Sequence, residues 1–190
     1  MLYIASGSLG FLIIHLFDIV SLKRIRGAKP CTWILGSGLL VYSLIMLCLG
    51  SDKLLLPSCS IWLGWALLST SLLLLVYSLF INLPFHKTYV ATGVGDELIT
   101  TGLYALVRHP GVHWFIVLML SLVLVSGSKP LLIASPILIL LDILLVVIQD
   151  KVFLGRMFDG YKDYKRETPM LLPNKKSISS CIKSLRQAKV

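Results

Sequence analysis

The chain has 190 residues, of which 56% are hydrophobic and only 14% are charged. A soluble globular domain has about 25% charged residues, so the composition indicates one integral membrane domain with no room for a separate soluble one. The net charge of +9 does not indicate nucleic-acid binding, because the basic residues stand in the loops and the tail between apolar stretches. Membrane topology and anionic headgroups account for basic residues in such places.

Five apolar stretches are predicted to form transmembrane helices, since roughly 20 residues are needed to cross a bilayer. The first three are long enough to span. The last two are shorter and are joined by a turn-forming run at residues 126–130, so they form either two short tilted spans or a helical hairpin that stops partway. The five stretches are residues 2–22, 31–50, 61–83, 112–125 and 131–148.

The C-terminal part is predicted to lie at the membrane surface. Apolar residues recur at helical spacing in residues 150–165, which predicts an interfacial amphipathic helix with a basic polar face. Residues 177–190 are basic and only weakly amphipathic, and we expect a mobile tail there. The fold class is therefore all-α, with about five transmembrane helices and a C-terminal interfacial helix. Its three regions are a three-span membrane region at 1–83, a cofactor region at 84–173 and a basic tail at 174–190.

The distribution of Lys and Arg predicts the orientation in the membrane. Sixteen of them fall on the side of the 84–111 loop and the C-terminal tail, whereas only Lys53 and Lys129 fall on the other side. By the positive-inside rule, the loop and the C-terminus face the cytoplasm and the N-terminus faces outside. The membrane would be the cell membrane in a prokaryote or the endoplasmic reticulum in a eukaryote.

Some polar residues stand inside or beside the apolar stretches. Asp142 is expected to face the protein interior and to find a partner there. His15 and Asp18 are expected to bond each other or a neighbouring helix, or alternatively to line a substrate path. The four cysteines have no CxxC spacing, so neither a metal site nor a disulfide framework is expected.

A short polar segment, residues 98–113, stands between the third and fourth stretches and is called the cassette below. It contains Arg108-His109-Pro110, and proline is well tolerated in the first turn of a helix. The free N–H groups at such a helix start favour an anion, so Arg108 and His109 are candidate ligand-binding residues. Alternatively, Arg108 extends to the lipid headgroups and His109 caps the helix.

The cassette is the first half of a longer pattern. It reads Leu-Ile-Thr-Thr-Gly-Leu-Tyr at 98–104, then three residues, then Arg-His-Pro, and it is followed by Gln149-Asp150, Tyr161-x-x-Tyr164 and Thr168-Pro169. The order and spacing resemble those of the isoprenylcysteine carboxyl methyltransferase family and its phospholipid methyltransferase relatives. The resemblance covers residues 98–173. It implies methyl transfer from S-adenosylmethionine at a membrane surface.

The resemblance also implies which residues form the site. Arg108, Gln149 and Asp150 would be catalytic, Asp150 by offering its negative charge to the positive sulfonium of the cofactor. The residues that would bind S-adenosylmethionine are Glu97, Leu98, Ile99, Tyr104, His109, Pro110, Gly111, Val112 and Asp150.

This chain departs from the family pattern at several positions. The family has His at position 96, Tyr at 112 and Glu at 149, where this chain has Asp96, Val112 and Gln149. The family's arginine shortly before the Glu pair is missing from residues 144–148. A prenylcysteine carboxylate is therefore a weak substrate candidate, and a lipid or small hydrophobic acceptor with an O, N or S atom fits better.

Two other functions stay open from the sequence. One is a sterol-reductase-like membrane enzyme that uses NADPH, for which an arginine-rich pocket is expected. The other is a catalytically silent binding or scaffold protein of the same fold, which the departures at Asp96, Val112 and Gln149 would suit.

Overall fold

The computed structural model describes residues 1–94 and 97–187, so Asp96 lies outside the described residues. Helices account for most of these residues, which form no β-strand. π-helical turns follow α3 at Tyr77–Ile81, occur in the next loop at His86–Val90 and follow α6 at Gln149–Phe153. The α-helices are α1 Leu2–Leu22, α2 Ala28–Cys48, α3 Ser58–Val76, α4 Leu103–Leu106, α5 Pro110–Ser126, α6 Lys129–Ile148, α7 Leu154–Met157, α8 Tyr161–Glu167 and α9 Lys175–Gln187.

Four helical segments are long and apolar enough to cross a membrane. Two are α1 and α2; the third runs through α3 to Ile81, and the fourth runs from Lys129 to Met157. The fifth apolar helix, α5, has 17 residues, somewhat fewer than the roughly 20 that a perpendicular span needs. The prediction of an all-α membrane protein with about five transmembrane helices is confirmed, since the described residues contain four to five helices that are long and apolar enough to span.

Close helix crossings depend on small residues, as is typical of membrane helices. A Cβ atom built on Gly10 of α1 would stand 2.8 Å from the Gly36 carbonyl oxygen of α2. A Cβ on Gly64 of α3 would stand 2.9 Å from the Leu124 side chain of α5. The backbones of these helix pairs can approach this closely only because no side chain stands between them.

The buried core lies mainly between α5 and α6 and is covered by α1 and α2. Met119, Leu131 and Leu138 are fully buried there, and Phe11 of α1 packs edge-on against Phe115 with ring centroids 6.0 Å apart. The site described below sits at one end of this bundle.

The connecting segments gather at two ends of the bundle. At one end, the Leu54 N–H donates to the Gly127 carbonyl at 2.7 Å, and Lys129 pairs with Asp52 at 2.8 Å. At the other end, the Lys29 ammonium donates to the Gly93 carbonyl at 2.8 Å. The cassette and the C-terminal segment both lie at this second end, which is called the cassette end.

The C-terminal part differs from its prediction in two ways. Residues 150–165 do not form one surface helix, because the helix is interrupted between Phe158 and Gly160, the latter with a φ of 79°. The expectation of a mobile, weakly amphipathic tail at 177–190 is wrong for residues 177–187, which belong to the amphipathic helix α9 and bury Ser177 and Cys181; residues 188–190 lie outside the described residues.

Candidate functional site

The cassette is held by backbone contacts on both sides. Gly102 has a φ of 63°, and a Cβ atom there would stand 2.5 Å from the Asn82 side-chain oxygen, so glycine is needed at this turn. That same oxygen accepts a hydrogen bond from the Leu103 N–H at 3.2 Å. Further along, the Arg108 and His109 N–H groups donate to the Pro169 and Met170 carbonyls at 3.0 and 3.3 Å. The cassette therefore runs against the C-terminal segment.

Asp150 is the centre of the site. Its Oδ1 accepts hydrogen bonds from Arg108 Nε at 2.7 Å and from the Tyr161 hydroxyl at 2.6 Å. Its Oδ2 accepts from Lys165 Nζ at 2.7 Å. The carboxylate is buried, and two cations hold it from opposite sides, which satisfies a charge that would be costly to bury alone. These residues with His109 are called the Asp150 cluster.

Arg108 links the two halves of the sequence pattern. Its Nη1 donates to the carbonyls of Lys165, at 3.2 Å, and Thr168, and its Nε donates to Asp150. The side chain is buried and does not extend toward lipid headgroups. The guanidinium therefore fastens the residues after α8 to the start of α5.

His109 is the N-cap residue of α5, but its side chain makes no capping hydrogen bond. Its buried Nε2 atom has no hydrogen-bond partner among the described residues and lies 3.7 Å from Asp150 Oδ1, beyond hydrogen-bond distance. An unsatisfied buried polar atom costs roughly 1–3 kcal/mol. A polar atom of a ligand would remove that cost.

Two tyrosines connect the cluster to the membrane helices. The Tyr164 hydroxyl donates to the Tyr104 carbonyl at 2.7 Å, and the Tyr104 hydroxyl donates to the Ser78 carbonyl at 3.2 Å. Burial raises the pKa of the Tyr104 hydroxyl well above its usual value. Burial, and then the hydrogen bond to Asp150, likewise raise the pKa of Tyr161. Both hydroxyls therefore stay protonated donors at neutral pH.

Gln149 points away from the cluster. Its amide nitrogen donates to both carboxylate oxygens of Asp18 on α1, at 3.2 and 3.0 Å, and His15 lies 4.0 Å from the same carboxylate. The expectation that Asp18 finds partners inside the protein is confirmed. Asp142 is different, because its buried Oδ2 has no hydrogen-bond partner within the described part of the chain.

The other predicted cofactor residues are spread along the cassette and the start of α5. Glu97 is exposed, Leu98 and Ile99 are half-buried in a segment without regular structure, and none of the three has a side-chain contact that joins it to Asp150 among the described residues. Pro110 and Val112 are buried in the first turn of α5, with Gly111 half-buried between them. The structure thus brings together Arg108, His109 and Asp150 but neither Gln149 nor Glu97.

The residue that the sequence prediction missed is Lys165. The apolar periodicity of residues 150–165 predicts that Lys165 lies on the basic polar face of a surface helix, yet its ammonium contacts Asp150. Tyr161 was noticed for its spacing to Tyr164, and it is one of the donors to the same carboxylate. Since Tyr161 and Lys165 stand four residues apart, they share one face of α8, which was the available signal.

An open cavity of about 420 Å³ lies beside the cassette. Tyr77 and Ile81 form one wall and α9 another, with Thr101 and Gly102 of the cassette between them. Arg108, His109 and Asp150 are not among its lining residues. Tyr104 lies close to the cavity wall, because its hydroxyl bonds the carbonyl of Ser78, next to Tyr77.

The cluster has one atom that a polar group of a small ligand, such as the methionine moiety of S-adenosylmethionine, would bond. That atom is His109 Nε2, which is buried and has no hydrogen-bond partner among the described residues, whereas Arg108, Tyr161 and Lys165 already bond both oxygens of Asp150. Among the described residues, no group of three His, Cys, Asp or Glu side chains is arranged to hold a metal ion.

Comparisons of the chain with family models, with curated proteins and with solved structures find no match. Support for a function therefore comes from the Asp150 cluster and from the sequence pattern that it brings together.

Proposed function

We propose that this membrane protein is an S-adenosylmethionine-dependent methyltransferase that acts on a lipid or a small hydrophobic acceptor. The observation that carries the proposal is the buried contact between Arg108 and Asp150, which are 42 residues apart and 2.7 Å from each other. They come from the two halves of the pattern that resembles the membrane methyltransferases. The unsatisfied nitrogen of His109 lies beside this contact, where a ligand would complete it.

Each residue of the cluster has a role that its position supports. His109 would hold the cofactor through its unsatisfied Nε2, and Tyr104, outside the cluster, would line the pocket as the resemblance to the family implies. Asp150 places a negative charge where it favours a positive group, and Arg108 and Lys165 keep that carboxylate in position. When bound, S-adenosylmethionine supplies an electrophilic methyl group, so the protein mainly aligns the acceptor and excludes water.

The cavity beside the cassette suits an acceptor that arrives from the bilayer. Ile81 and Leu185 give it an apolar side, whereas Asn82, Thr101 and Ser184 give it a polar side. Its volume is within the usual range for small-molecule sites. A molecule with an apolar body and a polar O, N or S atom matches this lining.

The test is a methyl-transfer assay with radiolabelled S-adenosylmethionine. Purified full-length protein is mixed with a membrane lipid extract and, in a second arm, with a prenylcysteine analogue. We expect label in the lipid extract, little label in the prenylcysteine, and strongly reduced transfer in His109→Ala. Lys162→Ala is the matched control, because Lys162 is exposed on α8. Absence of transfer in both arms would overturn the proposal, and efficient prenylcysteine methylation would overturn the acceptor class.

A second candidate function is a binding protein of the same fold without catalysis. Three donors of the protein itself already occupy the two oxygens of Asp150, as expected of a cluster that only stabilises the fold. Such a protein would bind S-adenosylmethionine or a lipid and transfer no label. The NADPH-dependent alternative has less support, because Arg108 and Lys165 are both engaged with Asp150.

A further inference from the structure

Helix α9 is docked on the cassette through one narrow face. Ser177 and Cys181 are buried on this face, and the Ser184 hydroxyl accepts a hydrogen bond from the Gly102 N–H at 2.7 Å. Asn174 begins the helix, since its side-chain oxygen accepts from the Ser177 N–H at 2.8 Å, as an N-cap does. One face of α9 therefore contacts the rest of the protein through these residues, and the other faces do not take part in these contacts.

A stripe of large apolar side chains lies next to the docked face. Ile178, Ile182 and Leu185 stand at helical spacing, and their exposed fractions are 44%, 48% and 41%. At about 100° per residue, this stripe lies on the flank of α9 between the buried serines and the polar face. Three exposed aliphatic side chains in a row need an apolar environment.

The charged residues on the polar face of α9 are all basic. The 13 residues of the helix contain four cations and no acidic residue. All four cations are exposed, and two of them adjoin the apolar stripe on the helical wheel. The four are Lys175, Lys176, Lys183 and Arg186.

The position of α9 in the bundle corresponds to the membrane surface. Helix α9 packs against α4. Three residues separate the end of α4 from the start of the apolar helix α5 at Pro110. Leu185 lines the same cavity as Ile81, the last residue of the candidate span Ser58–Ile81. The apolar stripe therefore starts at the level where two membrane helices end.

We propose that α9 lies in the bilayer surface at the cassette end, with its apolar stripe at the acyl boundary and its basic residues on anionic phospholipid headgroups. An apolar flank beside a basic face is the arrangement of an interfacial helix. Lys and Arg near an anionic leaflet add attraction that zwitterionic lipid cannot supply. Because Ser184 bonds Gly102, the same helix fastens the cassette to the membrane surface. This proposal does not depend on methyl transfer.

The experiment places a nitroxide spin label on α9 of the full-length protein. The native cysteines are replaced by alanine, and one cysteine is introduced as Ile182→Cys on the stripe or as Ser179→Cys on the polar face. Each protein is reconstituted in nanodiscs of phosphatidylcholine, with and without phosphatidylserine. Collisions of the label with oxygen, which concentrates in the bilayer, are compared with collisions with a water-soluble nickel chelate.

We expect phosphatidylserine to raise the oxygen collisions and lower the nickel collisions of the label at 182, while the label at 179 stays accessible to nickel. Changing all four basic residues of α9 to Gln should abolish this dependence on phosphatidylserine, and the control pair Lys162→Gln and Arg166→Gln on α8 should preserve it. A label at 182 that nickel reaches equally in both lipids would overturn the proposal. Insertion that ignores phosphatidylserine would also overturn it, as would shielding from both reagents, which indicates a protein partner on the stripe.

Discussion

Arg108 and Asp150 form a buried ion pair on which several other contacts depend. Tyr161 and Lys165 reach the same carboxylate, and the Arg108 guanidinium also holds the Thr168 carbonyl. Removing one partner of a buried pair leaves the other charge uncompensated, which costs roughly 3–5 kcal/mol. The position of the residues after α8 therefore depends on the Asp150 carboxylate, which holds Arg108 in place.

This dependence predicts the effect of Asp150→Asn. The substitution keeps the shape and removes the charge, so Arg108 is left buried without its anion, and we expect the free energy of unfolding to fall by about 3 kcal/mol. Lys165→Gln is the control, because the Lys165 side chain is 44% exposed and the loss should be at most about 1 kcal/mol. Thermal unfolding in mild detergent measures both. Equal losses in the two variants would show that Arg108 does not rely on Asp150.

The sequence allowed the pairing of the two halves of the pattern to be predicted, but not the direction of each side chain. Gln149 and Asp150 are adjacent, and neighbours on a helix point about 100° apart, so only one of them can face Arg108. Which one does so depends on where α1 places Asp18, a partner more than a hundred residues away in the chain. The contact of Lys165 with Asp150 could not be predicted, because it depends on the turn at Gly160 that separates α8 from the preceding helix.

Helices α1 and α2 cross so closely at Gly10 that the backbone of α2 leaves no room for a side chain there. The Gly10 position faces the Gly36 carbonyl, which cannot move without shifting α2. Gly38, two residues along α2, faces open space. Gly10 and Gly38 should therefore respond in opposite ways to substitution by alanine.

We expect Gly10→Ala to destabilise the protein by about 1–3 kcal/mol through overpacking, although alanine is the better helix former. Gly38→Ala should instead be neutral or should stabilise by up to about 1 kcal/mol, because only helix propensity changes. Detergent-denaturant titration of both purified variants measures the difference. Destabilisation by Gly38→Ala, or tolerance of Gly10→Ala, would contradict the close crossing.

Long apolar stretches were predictable as elements, because a bilayer demands about 20 apolar residues regardless of what surrounds them. The short elements at the cassette end were not. Residues 150–165 have an apolar periodicity, but the helix ends at Met157, and Gly160 takes a positive φ at the start of a new helix, α8, whose Tyr161 and Tyr164 are buried. The docked face of α9 consists of Ser177, Cys181 and Ser184, and these small side chains do not form a hydrophobic pattern in the sequence.

At the scale of the whole molecule, the two bundle ends differ in charge, and this difference predicts the topology. Among the described residues, fifteen Lys and Arg belong to the cassette end and two to the other end, so the cassette end should face the cytoplasm. In a cysteine-free background in sealed cells, a membrane-impermeant thiol reagent should label Lys53→Cys. It should not label Lys87→Cys or Lys175→Cys until the membrane is opened. Labelling of either from outside would invert the topology.

Binding of S-adenosylmethionine at the Asp150 cluster is the central claim, and isothermal titration of the purified full-length protein tests it most directly. We expect saturable binding of S-adenosylmethionine and none of NADPH at the same concentrations. A hydrogen bond to a charged group contributes about 1.5–3 kcal/mol, so His109→Ala should weaken the affinity at least about tenfold, whereas Lys162→Ala should leave it unchanged. No heat of binding with S-adenosylmethionine, or an unchanged affinity in a folded His109→Ala variant, would contradict the claim.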